Sequence, residues 1–243
     1  MEKKSKVALI VGAGDGIGTA IMRKFAHEGL IVIGARRNGG KLKPLLEELN
    51  SEKLIAHGFS CDARKEDAVT ELFSQIEREI GVIEVVVFNV GANVPMKLLE
   101  TDTRKFYKIW EMACFAGFLT GREAARYMTK RQRGTILFSG ATASVRGSAG
   151  FAAFSSAKHG LRALAQSMAR ELGPQNIHVA HVVIDGAVDT HWIRENHPHY
   201  ETLKTDQGII KPEDLADNYV ALYKQPRTTW TFELDIRPWS EKF

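Results

Sequence analysis

Gly12, Gly16 and Gly18 fall in the run VGAGDGIG, directly after the apolar stretch KVALI and shortly before TAIMRKFAHEG. A strand, a glycine-rich turn and a helix in that order make an anion site. First-turn N–H groups and the positive end of the helix face the ligand, and glycine lets a pyrophosphate approach the backbone. Such turns also close strand–helix units that bind nothing, so placement between a strand and a helix carries the inference. Arg36 and Arg37, in IGARRN, add two guanidinium groups whose charge and paired donors suit a phosphate. A solvated arginine is the plain alternative for either. Further on, FAAFSSAKHG holds Lys158 four places after Phe154, a cation one helical turn from an aromatic ring.

Elements must hold these groups in place. Short β-rich runs occur at KVALIV, LIVIGA, LIAHGFS, IEVVVF, GTILFS, IHVAHVVI and WTFELDI. Most are continuous apolar stretches, the mark of strands buried on both faces of a parallel sheet. Helices are expected between them. Val69, Leu72, Phe73, Ile76 and Ile80 repeat at helical spacing, as do Leu161, Leu164, Ala165, Met168, Ala169 and Leu172. The alternation predicts an α/β fold with a doubly wound, mainly parallel sheet of seven strands. No repeat or linker interrupts the chain, so a single domain is expected over 1–243. The least regular part, HWIRENHPHYETLKTDQGI at 191–209, is read as a mobile lid.

Hydrophobic residues make up 44% of the chain, enough for a sizeable core, and the formal net charge is +4. The basic runs MEKKSK, KRQR and ARR are short, which argues against nucleic acid and for phosphorylated ligands. No stretch approaches the roughly 20 apolar residues of a membrane span. VALIV is too short for a signal core. Cys61 and Cys114 lack metal-ligand spacing and are expected to remain reduced thiols. These features predict a cytoplasmic protein with no metal and no membrane partner.

The GxxxGxG spacing of Gly12, Gly16 and Gly18 differs from the dinucleotide fingerprint GxGxxG and resembles the short-chain dehydrogenase/reductase family. Four further motifs follow in order. CDA, with Asp62 and Ala63, is similar to the family's adenine-contacting segment. FNVG keeps Asn89 and Gly91 of the NNAG motif with Phe88 in place of the first asparagine. Lys158 matches the lysine of YxxxK, and DGAVDT keeps Gly186 and Thr190 of PGxxxT with Asp185 in place of proline. The resemblance covers about residues 6–190 and continues loosely into KPEDLA. It implies a Rossmann-like sheet flanked by helices on both faces and an NAD(P)-dependent oxidoreductase acting on a small molecule. Gly12, Gly16, Ile17, Gly18, Asp62, Ala63, Asn89, Gly91, Lys158, Gly186, Val188 and Thr190 would hold the cofactor. It also implies a homo-oligomer, dimer or tetramer, paired through helices at about 103–129 and 152–172. Ala152, Ala153, Ser156, Ala157 and Gly160 would permit close helix contact there, or pack within one subunit.

An acid at the end of strand two would bind the adenosine ribose and repel a 2′-phosphate. Ala35 stands there, followed by Arg36 and Arg37, so NADP(H) is favoured over NAD(H). Asp15 cuts the other way, because many NADP-using members carry a basic residue inside the turn.

In the family a tyrosine moves the proton, a lysine lowers its pKa, a serine polarises the oxygen and an asparagine organises a relay. Here Phe154 takes the tyrosine position, Ala141 the serine position and Cys114 the asparagine position. Lys158 alone remains, as a cofactor-holding and candidate catalytic group. Ser139, Thr142, Ser144, Ser155 and His159 are read first as capping or packing groups, with Ser155 expected to point away from Phe154's side. Asp185 stands beside the expected nicotinamide pocket, and His191 or Tyr200 could deliver a proton when the lid closes. Cys114 reads as a small buried hydrophobe. Three functions stay open. One is an NADP(H)-dependent oxidoreductase with a rebuilt proton path, acting on an activated carbonyl, enone or imine. Another is a regulatory or partner protein that holds NADP(H) without turnover. The last is a scaffold that has lost the cofactor.

Overall fold

The apolar runs become strands β1 (Lys6–Val11), β2 (Ile31–Arg36), β3 (Ala56–Ser60), β4 (Val82–Phe88), β5 (Gly134–Ser139), β6 (Ile177–Ile184) and β7 (Glu233–Ile236). The computed structural model describes residues 5–91 and 93–242. The strands form one sheet in the order β3-β2-β1-β4-β5-β6-β7, and each neighbouring pair is parallel. Every residue of β5 and β6 is buried, whereas the edge strands β3 and β7 are only partly covered. The central strands can therefore be apolar on both faces, as a parallel sheet with helices on each side requires.

Helices α1 (Ile17–His27), α2 (Lys43–Ser51) and α9 (Pro212–Lys224) cover one face. Ile21, Met22 and Phe25 of α1 pack there with Ala8 and Ile10, the inward residues of β1 on that side. The α1 helix stops at Gly29, whose φ of +81° turns the chain into β2 while Leu30 N–H reaches Phe25 O at 3.2 Å. On the other face, α3 (Glu66–Gln75), α5 (Ala116–Arg131) and α6 (Ala152–Leu172) pack on Val7, Leu9 and Val11. Full burial of one such aliphatic or aromatic side chain contributes about 1.5–3 kcal/mol.

Three segments differ from their sequence expectation. The helix expected at 103–129 runs from α4 (Thr103–Trp110) through a π-turn at Glu111–Phe115 into α5. The last strand begins at Glu233, because Trp230 and Thr231 bond back to Gln225 and the Trp230 ring stacks on His178 at 5.0 Å. The segment 191–209 contains α7 (His191–Asn196) and α8 (Tyr200–Thr205). Asp189 ties them together, pairing with Arg194 at 2.6 Å and accepting from Tyr200 Oη at 3.0 Å. Among the described residues, no helix is long and apolar enough to cross a membrane, and no cluster of three or more metal-ligating side chains forms.

Candidate functional site

Strand β1 has β2 on one side and β4 on the other, so the chain leaves the sheet in opposite directions at their carboxyl ends. A crevice opens at such a switch point. Two adjoining cavities fill it, of about 690 and 570 Å³, and share Gly12, Gly14, Asn89, Val90 and Gly91. Gly12 has φ +91°, and a Cβ there would lie 2.7 Å from the Asn89 carbonyl. Asn89 closes the same contact from the other side, donating from Nδ2 to Gly12 O at 3.1 Å. A Cβ on Gly16 would lie 2.6 Å from Thr190 Cγ2, which brings the segment after β6 against the turn. Gly16 caps α1 without a side-chain acceptor, so that helix start keeps backbone donors for a ligand. Gly12 and Gly16 leave no room for a side chain, while Gly14, where a Cβ would meet nothing within 4 Å, borders both cavities, a turn open enough for a phosphate to approach its backbone.

The smaller cavity is basic. Arg36, Arg37, Lys41 and Arg64 all line it, with Asp62 and Ala63. Arg36 is engaged by Asp15, Nη1 to Oδ1 at 2.5 Å, so the turn's acid neutralises one of the two expected phosphate ligands. Arg37 and Lys41 are exposed on the cavity wall. Asp62 is held by Arg64 through two side-chain bonds of 2.8 and 2.6 Å. Those bonds, with the charge of Arg37 adding to them, keep the Asp62 carboxyl below its ordinary value. Lys41 and Arg64 were not singled out in the sequence. A basic residue two places after Asp62 was the one visible signal.

The larger cavity runs from the glycine turn to Ala141, Phe154, Lys158, Gly186, Thr190 and Trp192. Ile17 and Gly18 also border it. Lys158 is 3% exposed and donates to Ser139 O at 2.8 Å and Val90 O at 3.3 Å. Burial pushes its pKa down from 10.5 to about 8, with the nearby Cys114 opposing the shift. Its Nζ stands 5.9 Å from the Phe154 ring centroid. Phe154 and Cys114 sit in an apolar cluster with Ile109, Ala113, Ala143, Ala153 and Ala157. The π-turn delivers Cys114 to this cluster against Gly160, and burial raises its thiol pKa. Val188 lies elsewhere, in the core and bridged to Ile210.

The candidate substitute donors separate. Ser139 Oγ is bonded to Tyr219 Oη at 2.6 Å in the core, and Ser144 Oγ accepts from Ala141 N at 3.1 Å. His159 is exposed and bonds Ser155 O, and Tyr200 is held by Asp189. Ser155, expected to point away, is instead a buried cavity residue whose Oγ has no hydrogen-bond partner. The reason is the tight packing of α6, which buries Ala153, Phe154 and Ser155 together. His191, the first residue of α7, lines the cavity, and Thr142 lines it with its hydroxyl bonded to Asp185.

The chain matches the short chain dehydrogenase family over residues 6–201. It is 28% identical over 228 residues to 2,3-dihydro-2,3-dihydroxybenzoate dehydrogenase of Bacillus subtilis, covering 88% of this chain and 87% of that one. It is 30% identical over 190 residues to the 3-oxoacyl-[acyl-carrier-protein] reductase MabA of Mycobacterium bovis, covering 78% and 72%. Among solved structures, a short-chain dehydrogenase from Rhodopseudomonas palustris superposes with a TM-score of 0.84 at 48% identity, covering 96% and 99%. A metagenomic short-chain oxidoreductase in complex with NADP superposes with a TM-score of 0.81 at 26% identity, covering 96% of each chain.

Proposed function

The chain belongs to the short chain dehydrogenase family of NAD(P)-dependent oxidoreductases, and from that premise we propose that it is an NADP(H)-dependent enzyme with an altered proton-donor site. The observation that carries the cofactor reading is the Gly12–Gly16 cradle, which opens onto a basic cavity on one side and Lys158 on the other. In this reading the cradle holds the pyrophosphate and Asp62 and Ala63 face the adenine. Arg37 and Lys41, helped by Arg36, take the 2′-phosphate. Asn89, Gly91, Gly186, Thr190 and Lys158 hold the nicotinamide half. The dinucleotide supplies or accepts a hydride there.

The protein's own contribution beside it is unusual. Phe154 and Ala141 bring no proton and no oxyanion donor to the cavity. A positioned acid or base is worth roughly 10²–10⁴ in rate and an oxyanion donor roughly 10²–10³. A simple ketone is therefore a poor substrate, and an activated carbonyl, enone or imine a better one. The same two residues favour a second reading, in which NADP(H) is held without turnover. We place the homo-oligomer contact on α4, α5 and the π-turn between them, where Tyr107, Trp110, Phe115 and Phe118 form an aromatic row and Tyr107 is 55% exposed. Of the small residues on α6, Ala152 and Ser156 remain exposed for such contact, while Ala153 and Ala157 pack inside the chain.

Fluorescence titration with NADPH and NADH tests the cofactor assignment. Micromolar or tighter binding that favours NADPH is expected. Absence of binding to both would overturn it and the second reading together.

A further inference from the structure

One polar pairing in the cavity wall is not used by the cofactor reading. Thr142, the residue after Ala141, lines the larger cavity, and its hydroxyl donates to Asp185 Oδ1 at 2.5 Å. Asp185 stands behind it, 5% exposed, and Arg237 Nη2 lies 3.2 Å from the other carboxylate oxygen, Oδ2. A carboxylate has lone pairs only and a hydroxyl has one proton. With that proton committed to Asp185, Thr142 Oγ1 has only acceptor capacity left for the cavity. Phe154 and Ala141 add no side-chain donor beside Thr142, Lys158 donates to Ser139 O and Val90 O, and the unpartnered hydroxyl of this cavity is that of Ser155 on α6. At Thr142 the wall thus presents an acceptor and suits a proton-bearing group.

We infer that the substrate group recognised here is a cationic hydrogen-bond donor, the N–H of a protonated imine, received by Thr142 Oγ1 with Asp185 as its positioning residue. The inference deepens the hydride-transfer reading and rests on it. A ketone makes the opposite demand, because its oxygen gains negative charge and needs donors. An iminium carries its charge before the reaction. When hydride adds to its carbon, the C=N π pair becomes the nitrogen lone pair, the reduced nicotinamide loses two electrons, and no proton enters or leaves. The missing tyrosine and serine hydroxyls are not required by that balance.

Arg237 makes the idea testable. In Asp185→Asn the amide oxygen must face Arg237, since a guanidinium only donates. The amide NH₂ then faces Thr142, whose hydroxyl turns its proton into the cavity. Acceptor becomes donor with one atom changed. The experiment measures, by calorimetry on the full chain with NADP⁺ present, binding of protonated tetrahydroisoquinoline and of β-tetralone, a neutral ketone of similar shape. Reduction of dihydroisoquinoline against β-tetralone with NADPH is measured alongside.

The wild type is expected to favour the amine by about tenfold or more, and Asp185→Asn to move that ratio towards the ketone by about tenfold or more. Thr142→Val should abolish the preference and Thr142→Ser retain it, with NADPH affinity unchanged in all three. A wild-type preference for the ketone, or a ratio indifferent to both Asp185→Asn and Thr142→Val, would overturn the inference. If NADPH binds and no amine preference exists, this inference fails alone. If neither NADPH nor NADH binds while the amine preference and its reversal hold, the hydride reading fails and the recognition stands.

Discussion

The two ends of the cleft are built from different materials. At the β1–β2–β3 end the cavity is lined by a glycine turn and four basic side chains. At the β5–α6 end the chemistry expected of the family rests on four side chains, and the sequence reading puts Phe154, Ala141 and Cys114 in three of those places beside Lys158. Backbone geometry is shared among many residues, so a single substitution seldom removes it. A proton path is concentrated in a few atoms and disappears with them. The fold needs no polar group at these positions, because Phe154 and Cys114 pack into an apolar cluster with Ala153 and Ala157. The polar groups there, among them Lys158, Ser155 and the Thr142–Asp185 pair, work in surroundings where each contact counts for more.

Restoring the lost atoms gives the largest expected effect. Phe154→Tyr with Ala141→Ser returns a proton donor and an oxyanion donor beside Lys158. Reduction of a simple ketone by NADPH, followed by loss of NADPH absorbance, should rise by about a hundredfold or more. The two gains should not multiply, since residues acting as a unit are non-additive. No rise at all, with NADPH still bound, would mean that the two ends do not form one site.

At the other end the effect is smaller and specific to the cofactor. Arg37→Ala should weaken NADPH binding by about tenfold, the loss of one charge-assisted contact, and leave NADH binding unchanged. Asp15→Asn releases Arg36 from its 2.5 Å ion pair and should tighten NADPH binding a few-fold. Equal effects on NADPH and NADH in the same titrations would move the arginines off the 2′-phosphate.

How far each end could be read in the sequence follows the same division. Strands β5 and β6 fall at GTILFS and IHVAHVVI as expected, because unbroken apolar runs between turns leave little choice of register. Helix α6 likewise spans Ala152–Leu172, and the glycine turn announces itself by residue type. Side-chain pairings between distant positions leave no periodic trace. Asp15 with Arg36, Thr142 with Asp185 and Asp189 with Tyr200 are tertiary facts. So is the burial of Ser155, which helical spacing alone placed on the wrong side. The two short helices in 191–209 depend on the Asp189 contacts, and Trp230 leaves the last strand for a stacking partner on β6.

The two ends should also answer pH in separate windows, one acid and one alkaline, and this is the smallest effect. Arg64 holds the Asp62 carboxyl below its ordinary value, so its contribution to stability is present at neutral pH and is lost as pH falls through the folded pKa. For Lys158 the slope has the same sign, but burial disfavours its charged form where the Arg64 contacts favour that of Asp62. Its folded pKa of about 8 lies below the ordinary 10.5, because the buried ammonium is poorly solvated. Below about 8 both folded and unfolded chains carry the proton. Between about 8 and 10.5 the unfolded chain keeps a proton that the folded chain has released. Unfolding then takes up a proton, so stability rises with pH across that window, by at most about 1.4 kcal/mol per pH unit. Urea unfolding at a series of pH values should show that rise in the wild type, and Lys158→Met should remove it while leaving the acid limb intact. A variant with the same alkaline slope as the wild type would show that Lys158 is not the group that titrates there. The protein would then hold its ammonium as firmly in alkali as at neutral pH, and a cofactor contact through Lys158 would persist through the same range.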